Sequence, residues 1–374
     1  MSYQVLARKW RPRNFTEMVG QQHVLQALIN ALDSDRLHHA YLFSGTRGVG
    51  KTTIARIFAK SLNCEQGISS TPCGSCTSCQ EITEGRSLDL LEIDAASRTG
   101  VDDMRDLLEN VQYAPTHGRF KVYLIDEVHM LSKQSFNALL KTLEEPPSHI
   151  KFLFATTDPQ KLPVTVLSRC LQFHLKRMTR VQISDHLTDL LKQEEIEAEE
   201  QALQLLAHAA DGSMRDALSL LDQAIAFGAG SVKKDAVLSM LGSVSHDSLL
   251  NILKALIAQD GKTLLQEARN IISSSPDYQR ICAEFITLFH EMALYKSDNN
   301  LLPADPQLRD DLIALSSQLS ADEIQLYYQI ILQGRKDLEI TPDEAQGFEM
   351  LMLRLLAFSP DVDVTEATKE KKSL

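Results

Sequence analysis

The sequence lacks both a membrane-spanning stretch and a secretory leader. None of its uninterrupted apolar runs approaches the roughly 18 residues that a membrane-spanning helix needs. The first residues, MSYQVLARKW, also lack the charged start, apolar middle and small-residue cleavage site of a signal peptide. We therefore expect a cytoplasmic protein with no membrane partner. In that compartment its six cysteines stay reduced, so a disulfide is not their default role.

Positive charge is not in excess either. The 374-residue chain carries 38 Lys and Arg against 50 Asp and Glu, a net charge of −12. Such a field argues against a protein that coats nucleic acid, although a local phosphate-binding surface stays compatible with it. A composition that is 44% apolar and 24% charged is typical of folded globular proteins. Since a single core seldom exceeds about 300 residues, we expect two or three domains.

Strand signals are confined to the first half of the sequence. Five short apolar runs predict strands, at residues 40–45, 88–95, 121–126, 151–157 and 171–175. Their near-continuous hydrophobicity favours buried strands of a parallel sheet that helices cover on both faces. The sequence therefore predicts a doubly wound α/β domain over residues 1–176.

Beyond residue 176 only helical periodicity is present. Helices are predicted over 180–193, 200–210, 214–227, 233–241, 246–258, 262–273, 279–296, 306–318, 321–335 and 343–357. We expect a small helical domain at 177–242, a larger all-α domain at 243–360 and a flexible polar tail at 361–374. Because the chain stops in such a tail, a fragment of a longer protein is one interpretation of it.

A phosphate-binding motif follows the first predicted strand. Residues 45–52, GTRGVGKT, match the Walker A pattern G-x-x-x-x-G-K-[ST] between a strand and a helix, the context that the motif requires. Its glycines let backbone amides wrap phosphate groups at a helix amino terminus. Lys51 is expected to contact the β and γ phosphates of ATP, and Thr52 to hold Mg²⁺. The predicted phosphate-binding residues are Gly45, Thr46, Arg47, Gly48, Val49, Gly50, Lys51, Thr52 and Thr53.

An apolar strand that ends in two acids, VYLIDE at 122–127, is the expected second half of the site. Asp126 is predicted to hold the Mg²⁺ together with Thr52, and Glu127 to orient or deprotonate the attacking water. A lone run of this kind would as readily be an ordinary strand end. Its place downstream of the phosphate-binding motif favours the catalytic interpretation.

The same residues open an alternative, because DEVH at 126–129 also matches the box of DExH helicases. Such helicases need a second α/β domain that faces the nucleotide and carries its own arginine motif. Since the sequence after residue 176 is helical throughout, this alternative is disfavoured.

Four of the six cysteines fall within 16 residues, in a segment that resembles a loop. Cys64, Cys73, Cys76 and Cys79 have the spacing C-x8-C-x2-C-x2-C. This spacing predicts a tetrahedral, structural zinc site with no open position for chemistry. An iron–sulfur cluster and four free thiols are the alternatives. Cys170 and Cys282, isolated in the sequence, are predicted to be buried structural thiols.

Further segments line up with a known family. They are LARKWRPRNFTEMVGQ before the phosphate motif, FLFATTD after the acidic strand, LSRC at 167–170 and GSMRDALS at 212–219. With the cysteine cluster after the Walker A helix, these segments resemble the gamma/tau subunits of the bacterial DNA polymerase III clamp loader, which are AAA+ ATPases. The resemblance is dense up to about residue 220 and rests mainly on length and helicity beyond it.

The resemblance implies further site residues. Thr157 matches sensor 1, which touches the γ-phosphate or its water, and Arg169 matches an arginine finger directed at the nucleotide of a neighbouring subunit. Arg215 matches sensor 2, which reaches the phosphates of its own subunit. Arg11, Pro12 and Val19 match segments near the adenine.

The resemblance also implies a fold and a function. The fold would be an AAA+ domain with a zinc-binding insertion, followed by a helical lid (177–242) and an all-α collar that oligomerises (243–360). The chain would be an ATP-hydrolysing motor that opens the sliding clamp and loads it onto primer–template DNA, within a hetero-pentamer of clamp-loader subunits. The expected cofactors are ATP, Mg²⁺ and structural Zn²⁺. A longer form would bind the polymerase and the replicative helicase. A scaffold that binds nucleotide without hydrolysing it is the alternative.

One segment is a candidate for contact with DNA. In ASRTGVDDMRDLLENV, residues 96–111, hydroxyl and arginine side chains stand at the start of a predicted helix, an arrangement that can follow a phosphate backbone. On the residues alone, an ordinary N-capped helix is the favoured interpretation. The resemblance, in which this region follows the duplex backbone, implies Arg98, Thr99 and Arg105 as contacts with DNA.

Overall fold

The computed structural model describes residues 4–97, 110–242, 246–273, 277–301 and 308–358. Arg98, Thr99, Arg105 and the tail at 361–374 lie outside the described residues, and the expectations about them stay predictions. The chain divides into two units, Met1–Val237 and Leu238–Leu374. Within the described residues, no helix has the length and apolarity to cross a bilayer.

A parallel five-stranded sheet forms the centre of the first unit, as predicted. Its strands are β1 (Ala40–Ser44), β2 (Leu90–Asp94), β3 (Lys121–Asp126), β4 (Ile150–Thr156) and β5 (Leu171–His174). The strand order is β2-β3-β4-β1-β5, and all neighbours are parallel. The carboxyl ends of parallel strands share one edge of a sheet, so residues from the ends of β1, β3 and β4 meet there.

Not all of the five strands are buried, and the prediction that each is buried was wrong for β5. Every residue of the central strands β1 and β4 is buried. In β5, by contrast, Leu171, Gln172 and His174 are exposed, and in β2 only Leu90 and Ile93 are buried. The reason is position, because β2 and β5 are the two edge strands of the sheet. Hydrophobicity along a short run does not report whether a strand has neighbours on both sides.

Sixteen helices are present in the described residues, mostly as the periodicity predicted. In the first unit they are α1 (Leu6–Lys9), α2 (Gln22–Asp33), α3 (Lys51–Asn63), α4 (Thr77–Glu84), α5 (Lys133–Glu144), α6 (Val164–Leu167), α7 (Arg180–Gln193), α8 (Glu200–Ala209) and α9 (Met214–Phe227). They continue with α10 (Lys234–Leu241), α11 (His246–Ile257), α12 (Gly261–Ile272), α13 (Tyr278–Ser297), α14 (Arg309–Gln318), α15 (Ala321–Leu338) and α16 (Glu344–Ala357). Four short 3₁₀ turns complete the described elements, at Phe15–Glu17, Asn110–Gln112, Val128–Met130 and Pro159–Lys161.

Local sequence signals explain where several helices begin and end. Ser132 accepts a hydrogen bond from the backbone N–H of Ser135 and so caps α5, which ends before Pro146. Thr179 and Gln182 form a reciprocal capping box at the start of α7. The helices α2 and α3 cover one face of the sheet and α5 covers the other, each with its own apolar core.

The second unit has an all-helical core. Its centre is the packing of α13 against α15, where the rings of Phe289 and Tyr327 lie 5.7 Å apart, and α16 packs on α15. At Gly334 an added Cβ would lie 2.3 Å from a methyl of Leu351, so the absence of a side chain there allows the two helices to approach closely. Cys282 is fully buried in this core and Cys170 is buried in the first unit, as predicted.

A buried carboxylate fixes the loop that leads into β3. Asp89 is 5% exposed and accepts hydrogen bonds from the backbone N–H groups of Thr116, His117 and Gly118, at 2.6, 2.8 and 2.6 Å. Burial alone would raise the pKa of Asp89, but these donors outweigh it and lower the pKa. The anchored loop sets the start of the strand that ends in Asp126.

We predict that Asp89→Ala destabilises the first unit by about 3 kcal/mol, because hydrogen bonds to a buried charge contribute about 1.5–3 kcal/mol. The contribution is present above a pH of about 4 and is lost as the pH falls through the lowered pKa of the folded state. Urea unfolding followed by fluorescence of Trp10, the single tryptophan, measures it. Asp33→Ala, which removes an exposed carboxylate that accepts from Ser70, is the control. Equal losses in both variants would contradict the assignment.

Candidate nucleotide-binding cleft and cysteine cluster

The predicted phosphate-binding loop connects β1 to α3 and lies against the start of α9. Gly48 has a φ of +76°, and a Cβ added there would lie 1.8 Å from Oγ of Ser213, which caps α9. The backbone N–H of Arg215 also points to the carbonyl of Gly48, at 3.4 Å. The loop therefore packs against the α7–α9 helices (the lid helices) through a contact that only glycine permits.

Lys51 opens α3 and is bound to its own loop. It is 5% exposed, and its Nζ donates to the carbonyls of Gly45 and Thr46 at 2.9 and 3.0 Å. Burial lowers the pKa of Lys51, while the nearby carboxylates of Glu127 and Asp126 act in the opposite direction. Lys51 therefore lies between the loop and the acids that end β3.

A short hydrogen bond joins α3 to β3. Thr52 Oγ1 donates to Asp126 Oδ2 at 2.7 Å. A hydroxyl and a carboxylate are oxygen ligands of the kind that Mg²⁺ prefers, and the two oxygens already lie side by side. The residues therefore fit the predicted ion.

Glu127 has a left-handed backbone and a fixed side chain. Its φ of +46° is unusual for a residue with a side chain. One carboxylate oxygen, Oε2, accepts from Thr157 twice, from the backbone N–H at 3.0 Å and from Oγ1 at 2.9 Å. His129 Nδ1 lies 3.4 Å from the same oxygen. The structure thus brings Thr157 to Glu127. It also brings His129 there, a residue that the sequence analysis met only as the last position of the disfavoured DExH match.

The cleft itself has a volume of 890 Å³ and three walls. The phosphate loop and β3 supply Gly48, Gly50, Lys51, Thr52, Thr53, Asp126 and Glu127. The amino-terminal segment supplies Arg11, Pro12 and Val19, and the lid helices supply Arg215. Of the predicted loop residues, Arg47 also lines this cleft, while Val49 is buried beneath it. Thr46 lines a smaller neighbouring pocket with Ser213, and Gly45 packs on Leu175.

Sequence reasoning missed the apolar and lid side of this cleft. Met18, Met178, His186, Met214 and Leu218 line it as well. A weak sequence signal was available for two of them, since Met214 and Leu218 lie within one helical turn of Arg215, which the resemblance had assigned to the site. The amino-terminal wall is held by the lid helices, since Trp10 Nε1 donates to Glu194 at 2.7 Å and the Leu6 backbone N–H donates to Asp222 at 2.9 Å.

The cleft is strongly basic although the chain is acidic. Nine Lys and Arg side chains line it, against three acidic ones. Burial and the neighbouring cations Arg56 and Arg215 lower the pKa of Arg11, and Glu92 and Asp126 oppose them. Arg56 is itself paired with Glu92 at 2.5 Å. Positive charge concentrated in a concave site attracts a polyanion such as a nucleoside triphosphate.

Arg169 does not take part in this cleft. It lies between α6 and β5, where its guanidinium binds Glu144 Oε1 at 2.6 Å and the carbonyl of Thr165 at 2.7 Å. Its side chain is 32% exposed. Arg169 therefore lies outside the cleft of its own chain, whereas Thr157, which does not line the cleft either, contacts it through Glu127.

The four clustered cysteines converge with metal-site geometry. Their Sγ atoms all lie within 4.8 Å of one another, and those of Cys73 and Cys79 are 4.0 Å apart. Four thiolates about 2.3 Å from a zinc ion would be about 3.8 Å apart, so the residues fit this metal. Backbone N–H groups point at three of the sulfurs at 3.4 Å, and such donors from Ser75 and Cys76 lower the pKa of Cys73 to about 6.

The cluster is not wholly a loop, in contrast to the expectation. Cys76 caps α4 and Cys79 lies in its first turn. The segment is also tied to the chain that leads into β3. Arg119 donates to the carbonyls of Cys64 and Glu65, and the amide of Asn63 bonds both backbone groups of Phe120.

Comparison with known families agrees with this geometry. Residues 20–179 match the model of the DNA polymerase III delta subunit, and 182–230 match that of the ATPase lid domain of a DNA polymerase III clamp loader subunit. Residues 232–369 match domain III of DNA polymerase III subunits gamma and tau. DNA polymerase III subunit gamma of Buchnera aphidicola subsp. Baizongia pistaciae is 45% identical over 359 residues, which cover 95% of this chain and 97% of that protein. The chain belongs to the gamma/tau family of DNA polymerase III subunits.

Longer members of the family extend beyond the matched region. DNA polymerase III subunit tau of Escherichia coli strain K12 is 54% identical over 378 residues, covering 100% of this chain but only 58% of that protein. Among solved structures, the Thermotoga maritima RuvB Holliday junction branch migration motor is 22% identical, with a TM-score of 0.48, over 66% of this chain and 79% of that one. The match to a clamp-loader ATPase lid domain, together with the parallel five-stranded sheet, supports the AAA+ ATPase fold that the resemblance implied.

The contact between Gly48 and Ser213 generates a prediction. An alanine in the left-handed conformation costs about 1–2 kcal/mol. Gly48→Ala should destabilise the first unit by more than this, because the added Cβ also displaces Ser213. Gly230→Ala is the matched control, since Gly230 has a φ of +96° and nothing within 4 Å of an added Cβ. Thermal unfolding and hydrogen exchange of residues 213–219 measure the effect. The same loss in both variants, with unchanged exchange at the start of α9, would contradict it.

Proposed function

We propose that the chain is an ATP-hydrolysing motor subunit of the DNA polymerase III clamp loader. One observation carries the proposal: Thr52, in the first turn of α3, is hydrogen-bonded to Asp126, the last residue of β3, inside a basic cleft. Family membership supports the identity of the assembly. In this proposal, ATP binding and hydrolysis are coupled to opening of the sliding clamp and to its loading onto primer–template DNA during replication.

The proposed nucleotide site uses residues that the fold has assembled. Lys51 and the backbone amides of residues 45–53 bind the phosphates, and Arg215 reaches them from the lid helices. Arg11, Pro12 and Val19 lie on the side of the adenine. Thr52 and Asp126 hold the Mg²⁺, which when bound neutralises negative charge on the phosphate oxygens. Glu127 orients or deprotonates the attacking water, and Thr157 contacts the γ-phosphate or that water.

Two alternatives make different predictions. A scaffold subunit would bind nucleotide without turning it over, and the presence of Lys51, Glu127 and Arg215 together argues against this. A DExH helicase would need a second α/β nucleotide-facing domain, and the described residues after 176 contain helices and one isolated bridge but no strand. The decisive experiment is steady-state ATPase of the chain assembled with its partners, the clamp and primed DNA. Turnover that Lys51→Ala abolishes supports the motor, and nucleotide binding without turnover supports the scaffold.

The proposed partners follow from the family. They are the other subunits of a hetero-pentameric clamp loader, the sliding clamp and the backbone of primer–template DNA. Residues 177–242 act as the lid, and residues 243–360 as the collar that joins the subunits. A longer form would reach the polymerase and the replicative helicase. Arg98, Thr99 and Arg105 stay the proposed contacts with DNA.

Arg169 is proposed to act on a neighbour's nucleotide. Its position supports this proposal. The side chain does not line the cleft of its own chain, is partly exposed, and is held in place by Glu144 and the carbonyl of Thr165. A fixed guanidinium at a surface is suited to enter a site across a subunit interface and to neutralise charge on the γ-phosphate.

We predict that Arg169→Ala leaves ATP binding by the isolated chain unchanged but lowers hydrolysis in the assembly by about 10³-fold or more, as for arginine fingers supplied in trans. Arg269→Ala removes another exposed arginine paired with a glutamate, and should leave hydrolysis unchanged. In mixed assemblies, Arg169→Ala subunits should silence the neighbouring site while their own stays active. Loss confined to the variant's own site would refute the proposal.

The cysteine cluster is proposed to hold one structural Zn²⁺. All four positions of a tetrahedral ion are filled by thiolates, so no position is left for chemistry. The ion would supply folding energy to residues 64–79, a segment that is rich in small and polar residues. Through Arg119 and Asn63 it would also steady the chain that enters β3.

We predict about one zinc per chain by elemental analysis. Cys76→Ser should release the metal and increase hydrogen exchange at residues 64–79, while ATP binding persists. Cys170→Ser, which changes a buried thiol outside the cluster, should retain the zinc. Iron with visible absorbance would instead identify a cluster of iron and sulfur. Metal-free protein with unchanged protection of residues 64–79 would count against any structural metal.

A further inference from the structure

His129 is a nearly buried histidine beside Glu127. It lies on the 3₁₀ turn Val128–Met130 that follows β3 directly, and its side chain is 9% exposed. Its Nδ1 lies 2.9 Å from Thr156 Oγ1 and 3.4 Å from Glu127 Oε2. One ring nitrogen thus faces both the end of β4 and the carboxylate proposed to handle the attacking water.

The neighbouring contacts constrain what this nitrogen does. Thr156 Oγ1 already accepts from the backbone N–H of Asp158 at 3.1 Å, and Thr156 is fully buried. With a proton on Nδ1, His129 donates to the second lone pair of this hydroxyl and presents the positive end of its N–H dipole to Glu127 Oε2. At 3.4 Å this second contact is electrostatic in character, since it exceeds the usual length of an N–H···O hydrogen bond.

The side chain of Glu127 is therefore held through one carboxylate oxygen, Oε2. Thr157 supplies two donors to Oε2, and His129 lies on the same oxygen. The left-handed backbone of Glu127 fixes the direction from which its side chain leaves β3. Among the described residues, no hydrogen bond or ion pair is formed by Oε1. The arrangement holds one oxygen and leaves the other to face a reactant.

We propose that His129 is a positioning residue for Glu127: with Thr156 and Thr157, it fixes Oε2 so that Oε1 is the oxygen that orients the attacking water. This inference rests on the proposed role of Glu127 in hydrolysis. A general base that is misplaced by about 1 Å can lose about 10²-fold in rate, so a group that only holds the base has a measurable effect. Nucleotide binding is not affected, because His129 does not line the cleft.

The chemistry of the ring gives a sharp set of variants. In His129→Asn the side-chain amide places its nitrogen near the position of Nδ1, whereas in His129→Gln it reaches toward that of Nε2. We expect His129→Ala and His129→Gln to lower kcat for ATP by about 10- to 100-fold, with KM changed by less than about twofold. His129→Asn should stay within about threefold of the unchanged chain. His149→Ala is the control, since the hydrogen bond of this half-buried ring within the described residues is to the carbonyl of Val111, at 3.3 Å.

The test uses the chain assembled with its clamp-loader partners, clamp and primed DNA. A double-mutant cycle with Glu127→Gln separates the two claims. If His129 acts through Glu127, His129→Ala has no further effect on kcat in the Glu127→Gln background. Wild-type turnover by Glu127→Gln alone would overturn the proposed role of Glu127 itself. Three outcomes would overturn the role of His129 alone. The first is a lowered kcat in Glu127→Gln while His129→Ala keeps full kcat. The others are additive losses of kcat in the double variant, and equal losses in His129→Asn and His129→Gln. Melting temperature and ATP affinity of each variant establish that the fold is kept.

Discussion

The hydrogen bond between Thr52 and Asp126 is the contact on which the site depends. At 2.7 Å it joins the first turn of α3 to the last residue of β3, and so fixes the phosphate loop against the acids. This contact exists because β3 and β1 are separated only by β4 in a parallel sheet, whose carboxyl ends share one edge. A change in strand order would leave the same residues in the sequence but too far apart to meet.

Around this contact the first unit closes a basic cleft from three directions. The lid helices reach the loop where Gly48 meets Ser213, and the amino-terminal segment is held to those helices by Trp10 and Leu6. Nucleotide that fills the cleft would therefore touch the sheet, the lid and the amino-terminal segment at once. In the proposed function, such an arrangement would couple occupancy of the cleft to the placement of the lid helices, as a motor subunit requires.

Much of this could be predicted from the sequence, because the signals are local. A strand followed by GTRGVGKT and a helix, and a strand that ends in Asp126 and Glu127, carry their own context. Contacts between distant segments could not be predicted. The exposure of Leu171 depends on which strand has no neighbour, and the role of His129 depends on β4 lying beside β3. The helix at Cys79 was hidden because the metal-site spacing dominated the pattern. Thr157 and Arg215 were found only through family resemblance, since a single threonine or arginine has no local signature.

The most direct measurement is a crystal structure of the chain with Mg²⁺ and an ATP analogue that resists hydrolysis. The account predicts the triphosphate in the basic cleft, with Lys51 Nζ moved from the carbonyls of Gly45 and Thr46 to phosphate oxygens. It also predicts the ion between Thr52 and Asp126, with Glu127 directed at the γ-phosphate. A nucleotide bound outside this cleft, or one bound within it while Lys51 keeps its contacts to the loop carbonyls, would contradict the account.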